Sequence, residues 1–261
     1  MKNLFDLTGR FACVIGGGGY LGGPICEALA SHGAHVTIAD RRFDAAQAAA
    51  ARLCESGLSA EALALDVCDE PAVGAAFDGL LERHGALNIV VNTTTWSTGK
   101  KMEEMTLDDW QAGTRVSLGG AFVVGREAGR IMVRQGGGSI IQFGSMYGLV
   151  SPDPRVYGAK WTCNPPDYEA AKAGILQLVR YQAVMWAPHG VRVNAVVPGP
   201  YPNPAGMGAD REFVEQLSRR VPMGRVGRAE EIGGAVVFLA SDAAGYVTGT
   251  YIVVDGGWTA W

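Results

Sequence analysis

Short apolar segments alternate with longer helical patterns along nearly the whole chain. Apolar runs without a polar face are typical of strands buried on both sides, and helices between them cover both faces of a parallel sheet. The pattern predicts an α/β fold, a doubly wound parallel sheet of the Rossmann type, as a single domain over residues 1–261. The expected strands are 10–15, 35–39, 62–65, 87–91, 138–143, 191–196 and 251–254, and the expected helices are 21–32, 45–55, 71–84, 107–135, 168–187 and 229–240.

Composition limits the functions that such a domain can serve. The chain has 261 residues, 48% of them hydrophobic, and a formal net charge of −4, which gives no reason to expect nucleic acid or an acidic membrane as partner. No stretch is apolar and long enough to cross a membrane, and residues 1–6 lack the apolar run of a signal peptide. The five cysteines show no paired or metal-ligand spacing, which favours reduced thiols in a cytoplasmic protein.

A glycine-rich loop connects the first expected strand to the first expected helix. Glycines there let the backbone approach a pyrophosphate, and the helix N-terminus offers N–H donors and the positive end of its dipole. The loop therefore predicts a dinucleotide site. Its candidate cofactor-binding residues are Gly16, Gly19, Tyr20, Leu21 and Gly22.

An acidic residue, Asp40, follows the second expected strand. It is placed to accept hydrogen bonds from the hydroxyls of an adenosine ribose, and its charge repels a 2′-phosphate. Arg41 and Arg42 act in the opposite direction, because an arginine beside the ribose holds a 2′-phosphate. Taking Asp40 as the stronger influence, we expect NAD in preference to NADP. Asp66, after the third strand, is expected at the adenine edge, although helix capping explains it nearly as well.

Tyr168 and Lys172 lie four positions apart at the start of a long helical pattern, so they share one helix face. A phenol beside a fixed ammonium loses its proton more easily than a free phenol, and so becomes an acid–base group near neutral pH. The spacing alone is common. Combined with the glycine loop and with Ser145, which follows a buried strand, it indicates a proton-transfer site.

With further motifs, these residues make the chain resemble the short-chain dehydrogenase/reductase family over essentially its whole length. The resemblance implies that Tyr168 is the general acid–base, that Lys172 lowers its pKa and binds the nicotinamide ribose, and that Ser145 orients the substrate oxygen. It also implies cofactor contacts from Val67, Asn92, Thr94, Pro198, Gly199 and Tyr201. The motifs that carry the resemblance are 16–22, 66–67, Asn92, Ser145, Tyr168, Lys172, 192–195, 198–199 and 254–257.

Around the expected catalytic set, one position departs from the family pattern and a second tyrosine competes for the acid–base role. Ser117 stands where the family has an asparagine that holds a proton-relay water, and so it becomes a fourth candidate catalytic residue. Tyr157 competes with Tyr168, because it lies closer in sequence to Ser145. However, Lys160 follows Tyr157 by three positions rather than four, and the surrounding prolines deny it a long helix. We therefore prefer Tyr168.

Two irregular segments are expected on the carboxyl edge of the sheet, where this architecture binds ligands. Residues 151–167 form an inserted lid-like loop before the tyrosine, and residues 200–222 form a substrate-side loop. The insert resembles a bacterial subgroup of the family often linked to sugar metabolism, which implies a polar, polyhydroxylated substrate. Four side chains of the insert are expected either to bind substrate hydroxyls or an anionic group, or to pack the insert against the domain or a neighbouring subunit. They are Arg155, Tyr157, Lys160 and Trp161.

The leading hypothesis is an NAD(H)-dependent oxidoreductase that moves hydride between nicotinamide and a small polar secondary alcohol or ketone, with sugar derivatives among the candidates. Two alternatives stay open: an NAD-dependent sugar epimerase or dehydratase, and an NAD-binding regulator with weakened catalysis. The resemblance also implies a homo-oligomer, a dimer or tetramer. The four histidines are scattered near helix ends, so no metal site is expected.

Overall fold

Seven parallel strands form one sheet, in the order β3-β2-β1-β4-β5-β6-β7. The structure is a computed structural model that describes residues 3–158 and 160–261. The strands are β1 Phe11–Ile15, β2 His35–Asp40, β3 Ala60–Ala64, β4 Ile89–Asn92, β5 Gly138–Phe143, β6 Val191–Pro198 and β7 Tyr251–Val254. The α-helices are α1 Gly22–Ser31, α2 Phe43–Glu55, α3 Glu70–His84, α4 Leu107–Thr114, α5 Gly120–Gln135, α6 Pro154–Tyr157, α7 Pro166–Trp186, α8 Arg211–Arg220 and α9 Gly233–Ala240.

The strand order reverses at β1, which lies between β2 and β4. In the register of the sheet, Ile15 stands beside Ala39 on one side and Asn92 on the other. Loops that leave the carboxyl ends of β1 and β4 diverge to opposite sides, and this opens a crevice in which such folds bind ligands. The expected doubly wound Rossmann fold is confirmed, and the crevice follows from its topology.

Two apolar layers cover the sheet. One contains residues of α1, α2 and α9, and the other contains residues of α3, α5 and α7. Successive strand residues point to opposite layers: Val14 packs in the first and Ile15 in the second, and both are fully buried. Strands buried on both faces need apolar side chains at every position, which explains why the apolar runs locate the strands so well.

Helix α3 shows how local sequence sets an element's limits. Asp69 caps its first turn by accepting a hydrogen bond from the N–H of Ala72 at 3.1 Å, and Pro71 occupies that turn without costing a hydrogen bond. The helix ends because Gly85 adopts φ = +76°, a left-handed conformation that glycine accepts without a Cβ penalty. His84 is therefore the last helical residue.

The helical pattern 107–135 is confirmed, with a π-helical turn at Arg115–Gly119 between α4 and α5. Other expectations about elements need correction. The segment 200–222 is not only a loop, since it contains α8, and the insert contains the short helix α6. The pattern 229–240 begins as a 3₁₀ turn at Ala229–Ile232 before α9. Helix α8 carries an apolar period, with Phe213 and Leu217 four positions apart, but it follows a proline-rich segment that favours a loop.

Among the described residues, no helix combines the length and the hydropathy that a membrane span requires.

Candidate active site

The loop after β1 is shaped around its glycines. Gly16 has φ = +78°, and a Cβ there would lie 2.5 Å from Thr93 Oγ1. A Cβ on Gly22 would collide with the carbonyl oxygen of Gly16. No side chain caps the start of α1, so its positive dipole end stays available to an anion. This cradle fits a pyrophosphate, and the residues that would hold one are those of the loop and the first turn of α1.

A cleft of about 470 Å³ opens above this loop at the carboxyl edge of the sheet. It brings together ten of the residues expected to bind a cofactor, which come from four different strand ends. It also has lining residues that sequence patterns did not single out, because an unremarkable residue after a strand carries no local signal. The expected residues in the cleft are Gly16, Gly19, Tyr20, Leu21, Gly22, Asp40, Arg41, Asp66, Val67 and Thr94, and the additional ones include Thr93, Thr95, Trp96, Val116 and Phe143.

Asp40 lies at the end of β2 with its carboxylate nearly buried. The backbone N–H of Arg42 donates a hydrogen bond to Asp40 Oδ1 at 3.0 Å, and the Arg42 guanidinium lies 3.8 Å from the same oxygen. Both Arg41 and Arg42 line the cleft beside the carboxylate. The cleft thus presents one anchored negative charge and two exposed arginines at the position where an adenosine ribose is expected.

Asn92 is buried at the end of β4 and organises the loop that follows. Its Oδ1 accepts hydrogen bonds from the N–H and the hydroxyl of Thr94, at 3.2 and 2.7 Å. Its Nδ2 donates to Gln142 Oε1 on β5 at 3.0 Å. Asn92 does not line the cleft itself, and it positions Thr94, which does.

Ser145, Tyr168 and Lys172 converge near Phe143, which lines the cleft. Lys172 Nζ donates a hydrogen bond to the carbonyl oxygen of Phe143, at the end of β5, at 2.8 Å. The same nitrogen lies 5.5 Å from the centroid of the Tyr168 ring, and the Ser145 hydroxyl lies near enough to Tyr168 to lower the pKa of its phenol. The first turns of α7 and the end of β5 thus bring together a phenol, an ammonium and a hydroxyl, as the i, i+4 spacing predicts.

Burial sets the acid–base state of this trio. Loss of solvation raises the pKa of the Tyr168 phenol, and the hydrogen bond with Ser145 opposes that rise only in part. Burial also lowers the pKa of Lys172 to about 7. The expectation that Lys172 lowers the pKa of Tyr168 stays a prediction, since in the cofactor-free protein desolvation of the phenol outweighs the groups that lower its pKa. The i, i+4 spacing predicts that the two side chains are adjacent, but it does not predict how much solvation each loses on folding.

A carboxyl group that sequence patterns did not single out adjoins the trio. Glu169 follows Tyr168 in the first turn of α7, and one of its oxygens is buried without a hydrogen-bond partner among the described residues. Burial raises the pKa of Glu169 to about 7, and its charge further raises the pKa of Tyr168. The sequence shows that Glu169 is next to Tyr168, but it does not show that a Glu169 oxygen is buried.

Tyr157 occupies a different environment. Its hydroxyl pairs with that of Tyr147 at 2.8 Å, and both rings are buried in an apolar cluster with Phe213. Burial raises the pKa of Tyr157 to about 12. Since its hydroxyl is engaged by another phenol rather than placed beside Lys172, the structure favours Tyr168 as the acid–base candidate.

Ser117 lies fully buried in the π-helical turn between α4 and α5. Its hydroxyl donates to the carbonyl oxygen of Trp96 at 2.8 Å and accepts from the N–H of Trp96 at 3.1 Å. The hydroxyl has one proton, and here the backbone of the loop after β4 holds it. Ser117 therefore positions that loop, and its expected part in a proton relay stays a prediction.

The other expected cofactor residues lie at the end of β6. Pro198 is the last residue of β6, and the N–H of Gly199 donates to Val254 O on β7 at 3.0 Å. Tyr201 does not line the main cleft: it packs against Gly227 and borders a separate cavity of about 150 Å³ with Arg225 and Glu231. Its expected cofactor contact is not supported by this position.

Two acidic caps join the insert to α8. Asp153 caps α6 and lies 2.7 Å from Arg220 on α8. Asp210 caps α8 and accepts hydrogen bonds from Lys160 Nζ at 2.6 Å and from Trp161 Nε1 at 3.0 Å. The insert and α8 thus form one unit, which we call the lid (151–167 and 207–222). Two of the insert side chains expected to bind a substrate, Lys160 and Trp161, instead hold the insert against the start of α8 through Asp210.

Comparison with known proteins identifies similar folds and sequences over the full chain. A family model described as enoyl-(acyl carrier protein) reductase matches residues 21–259. The D-threitol dehydrogenase of Mycolicibacterium smegmatis is 33% identical over 98% of this chain and 95% of that protein. The L-tagatose-forming galactitol 2-dehydrogenase of Cereibacter sphaeroides is 36% identical over 100% and 99%.

A solved structure agrees with these relatives. The crystal structure of a gluconate 5-dehydrogenase from Burkholderia cenocepacia, in complex with NADP and tartrate, superposes with a TM-score of 0.88. It is 32% identical, and the match covers 99% of this chain and 98% of that one.

Replacing Lys172 by methionine should change the pH dependence of stability. Lysine has a pKa of about 10.4 in an unfolded chain, and the folded value is about 7. Between these values the unfolded parent binds more protons, so its stability rises with pH, and Lys172→Met lacks that rise. The free energy of unfolding of the variant relative to the parent should be highest below about pH 7 and fall by about 1.4 kcal/mol per pH unit up to about pH 10.

Urea unfolding of the cofactor-free protein at several pH values measures this difference. The exposed Lys101→Met is the matched control and should run parallel to the parent. Parallel profiles for Lys172→Met would show that the Lys172 ammonium is not desolvated.

Proposed function

The chain belongs to the short-chain dehydrogenase/reductase family, and on that premise we propose that it is a nicotinamide-dependent polyol or sugar-derivative dehydrogenase. The reaction interconverts a polar secondary alcohol and its ketone. The observation that carries the proposal is the convergence of Ser145, Tyr168 and Lys172 beside a cleft built around the glycine loop. A module that only binds nucleotide needs none of these three side chains.

The three side chains divide the work of the protein. The cofactor, when bound, supplies the hydride chemistry. Tyr168 exchanges the proton of the substrate hydroxyl, and its raised pKa favours the protonated form that donates to a forming alkoxide. Ser145 lies beside Tyr168 and offers its hydroxyl to the same substrate oxygen. Lys172, anchored on the Phe143 carbonyl, places its Nζ 5.5 Å from the centroid of the Tyr168 ring.

The substrate class follows from the relatives and from the lid. The named relatives act on threitol, galactitol and gluconate, which all carry several hydroxyls. In this chain the two parts of the lid follow β5 and β6, and they are joined by two ion pairs and a cluster of aromatic side chains. We infer that the lid excludes water from the reacting carbon and selects among hydroxylated substrates, and that residues 151–167 have this role.

The experiment that tests the function uses purified protein, NAD⁺ or NADP⁺, and threitol, galactitol and gluconate, with 2-butanol as an alcohol without further hydroxyls. Absorbance of the reduced nicotinamide should rise with at least one polyol and least with 2-butanol. Tyr168→Phe should lower the turnover number by about 10²- to 10⁴-fold, because the proton exchange is lost.

The matched control is Tyr157→Phe, which removes a buried hydroxyl outside the trio and should keep the turnover number. Full turnover in Tyr168→Phe would overturn the assignment of the acid–base. A tightly held cofactor with no net redox turnover would favour the epimerase or dehydratase alternative.

We propose NAD as the preferred cofactor, with Asp40 as the determinant. Its buried carboxylate is anchored at the end of β2, and a 2′-phosphate beside it would face a like charge. Arg41 and Arg42 favour NADP, because their positive charges can bind a 2′-phosphate. The Burkholderia cenocepacia structure contains NADP. The proposed preference for NAD therefore requires that the charge of Asp40 outweigh those of both arginines.

Asp40→Asn should raise the ratio of kcat/KM for NADP to kcat/KM for NAD by at least about tenfold, equivalent to about 1.4 kcal/mol. The amide keeps an oxygen for the Arg42 N–H and removes the charge. Asp44→Asn changes an exposed carboxylate at the start of α2 and serves as the control, with an unchanged ratio. A parent enzyme that prefers NADP would contradict the proposal.

We further propose a cytoplasmic homo-oligomer, a dimer or tetramer. The five cysteines are free thiols, which suits a reducing compartment. Helix α7 exposes Tyr181, Val184 and Met185 on one face, and α5 exposes Phe122. Apolar surface of this kind is costly in water and is covered when two copies pack face to face. Light scattering should give a mass of two or four chains, and the mass of one chain would contradict this.

A further inference from the structure

Two histidines and a glutamate converge at the amino edge of the sheet, opposite the active-site edge. His35 is the first residue of β2, Glu61 is the second residue of β3, and His84 is the last residue of α3. The ligand atoms of the three side chains all lie within 4.8 Å of one another. The expectation that the histidines lie scattered is wrong for this pair, whose ring centroids are 4.8 Å apart.

The fold explains why these residues meet. Thr37 and Glu61 are direct neighbours in the register of β2 and β3, and His35 lies two residues before Thr37 on the same face. That face is covered by α3, whose C-terminal end carries His84. The cluster therefore depends on three elements far apart in sequence, which is why no motif spacing reveals it.

One of the three ligand atoms lacks a hydrogen-bond partner among the described residues. His35 Nε2 is buried and has no hydrogen-bond partner among the described residues, and it lies 3.9 Å from Glu61 Oε1. His84 Nε2 approaches the same oxygen at 3.1 Å. The unpaired His35 Nε2 and the hydrogen-bonded His84 Nε2 therefore lie near the same carboxylate oxygen, and a cation placed among these three atoms can bind all of them.

Surrounding groups orient each of the three side chains. His35 Nδ1 is 2.7 Å from Ser59 Oγ, and a proton donated there leaves the lone pair on Nε2. Arg83 holds Glu61 Oε2 at 2.6 Å, so that Oε1 faces the imidazoles, and Thr37 donates to Oε1 at 2.8 Å. The Phe11 ring stacks on His84. Hydrogen bonds of this kind fix ligand orientation in metal sites.

We propose that His35 Nε2, His84 Nε2 and Glu61 Oε1 form a binding site for a divalent zinc ion. Two neutral imidazoles and one carboxylate are a common zinc ligand set, and zinc takes them at about 2.0–2.2 Å with a fourth position open to water. On binding, the metal replaces the proton that His84 shares with Glu61, and that proton moves to Nδ1 of the same ring. The partial exposure of all three side chains gives the ion and its water access.

The site has a structural consequence. A bound ion ties the start of β2 to β3 and to the end of α3, and a ligand that binds only the folded chain stabilises it. The site lies at the opposite edge of the sheet from the cleft, so the proposal stands independently of the proposed reaction. The melting temperature should rise by about 5 °C at a zinc concentration one hundred times the dissociation constant.

The test uses the full chain without an affinity tag, freed of metal and titrated with Zn²⁺ by calorimetry. The parent should bind one Zn²⁺ per chain, and His35→Phe and His84→Phe should each weaken binding by at least tenfold while keeping an aromatic ring in the stack. Ser59→Ala, which removes only the orienting hydroxyl, should weaken binding by about 10- to 100-fold. His189→Phe, an exposed histidine elsewhere, should leave binding unchanged.

Co²⁺ as a spectroscopic probe separates this site from the free thiols. Intense visible d–d bands without a near-ultraviolet thiolate charge-transfer band support nitrogen and oxygen ligands. Absence of saturable binding, binding unaffected by His35→Phe and His84→Phe, or a thiolate band at the first equivalent would each overturn the proposal. Cofactor binding by each variant, measured in parallel, shows that it is folded.

Discussion

The loss of water around Tyr168 and Lys172 is the constraint on which the active site depends. A phenol and an ammonium are both harder to charge when they are buried, and here burial raises the pKa of the phenol and lowers that of the ammonium. The fold stabilises this arrangement with few bonds: the carbonyl of Phe143 holds Lys172, and Ser145 holds Tyr168. The protein thereby maintains a proton donor whose charged form the site disfavours, a cost that native structures accept at functional sites.

The lid, which we propose excludes water from the reacting carbon, is held together by two capping carboxylates. Asp153 and Asp210 each cap a helix and also bind a basic residue of the opposite segment, so the insert and α8 are fastened at two points. Between these clips, Tyr157 and Phe213 pack in a shared apolar cluster. Asp153 and Asp210 use the same carboxylates to cap a helix and to form an ion pair. A change at either residue therefore loosens the insert and also weakens the start of α6 or α8. If the lid selects substrates as we propose, its stability and its selectivity depend on the same two carboxylates.

Much of this was visible in the sequence, for physical reasons that can be stated. Strands buried on both faces are apolar throughout, and the glycine loop, Asp40, Ser145, Tyr168 and Lys172 follow or begin elements whose ends are locally encoded. The π-helical turn that buries Ser117 was not visible, because a local change of backbone hydrogen bonding leaves no mark in the sequence pattern. Helix α8 was missed although Phe213 and Leu217 lie four positions apart on its buried face, because the proline-rich segment before it favours a loop. Predicting that His35 lies beside His84 requires knowledge of the sheet register. Predicting the direction of the Tyr168 pKa shift requires knowledge of how much water surrounds the phenol.

The central claim is that burial, rather than the neighbouring ammonium, sets the proton affinity of Tyr168 in the cofactor-free protein. Nuclear magnetic resonance of protein labelled with ¹³C at the tyrosine ζ-carbon follows each phenol through a pH titration, and Tyr168→Phe assigns the signal. The account predicts that Tyr168 stays protonated beyond the ordinary tyrosine pKa of about 10. Ionisation of Tyr168 near neutral pH in the absence of cofactor would contradict it.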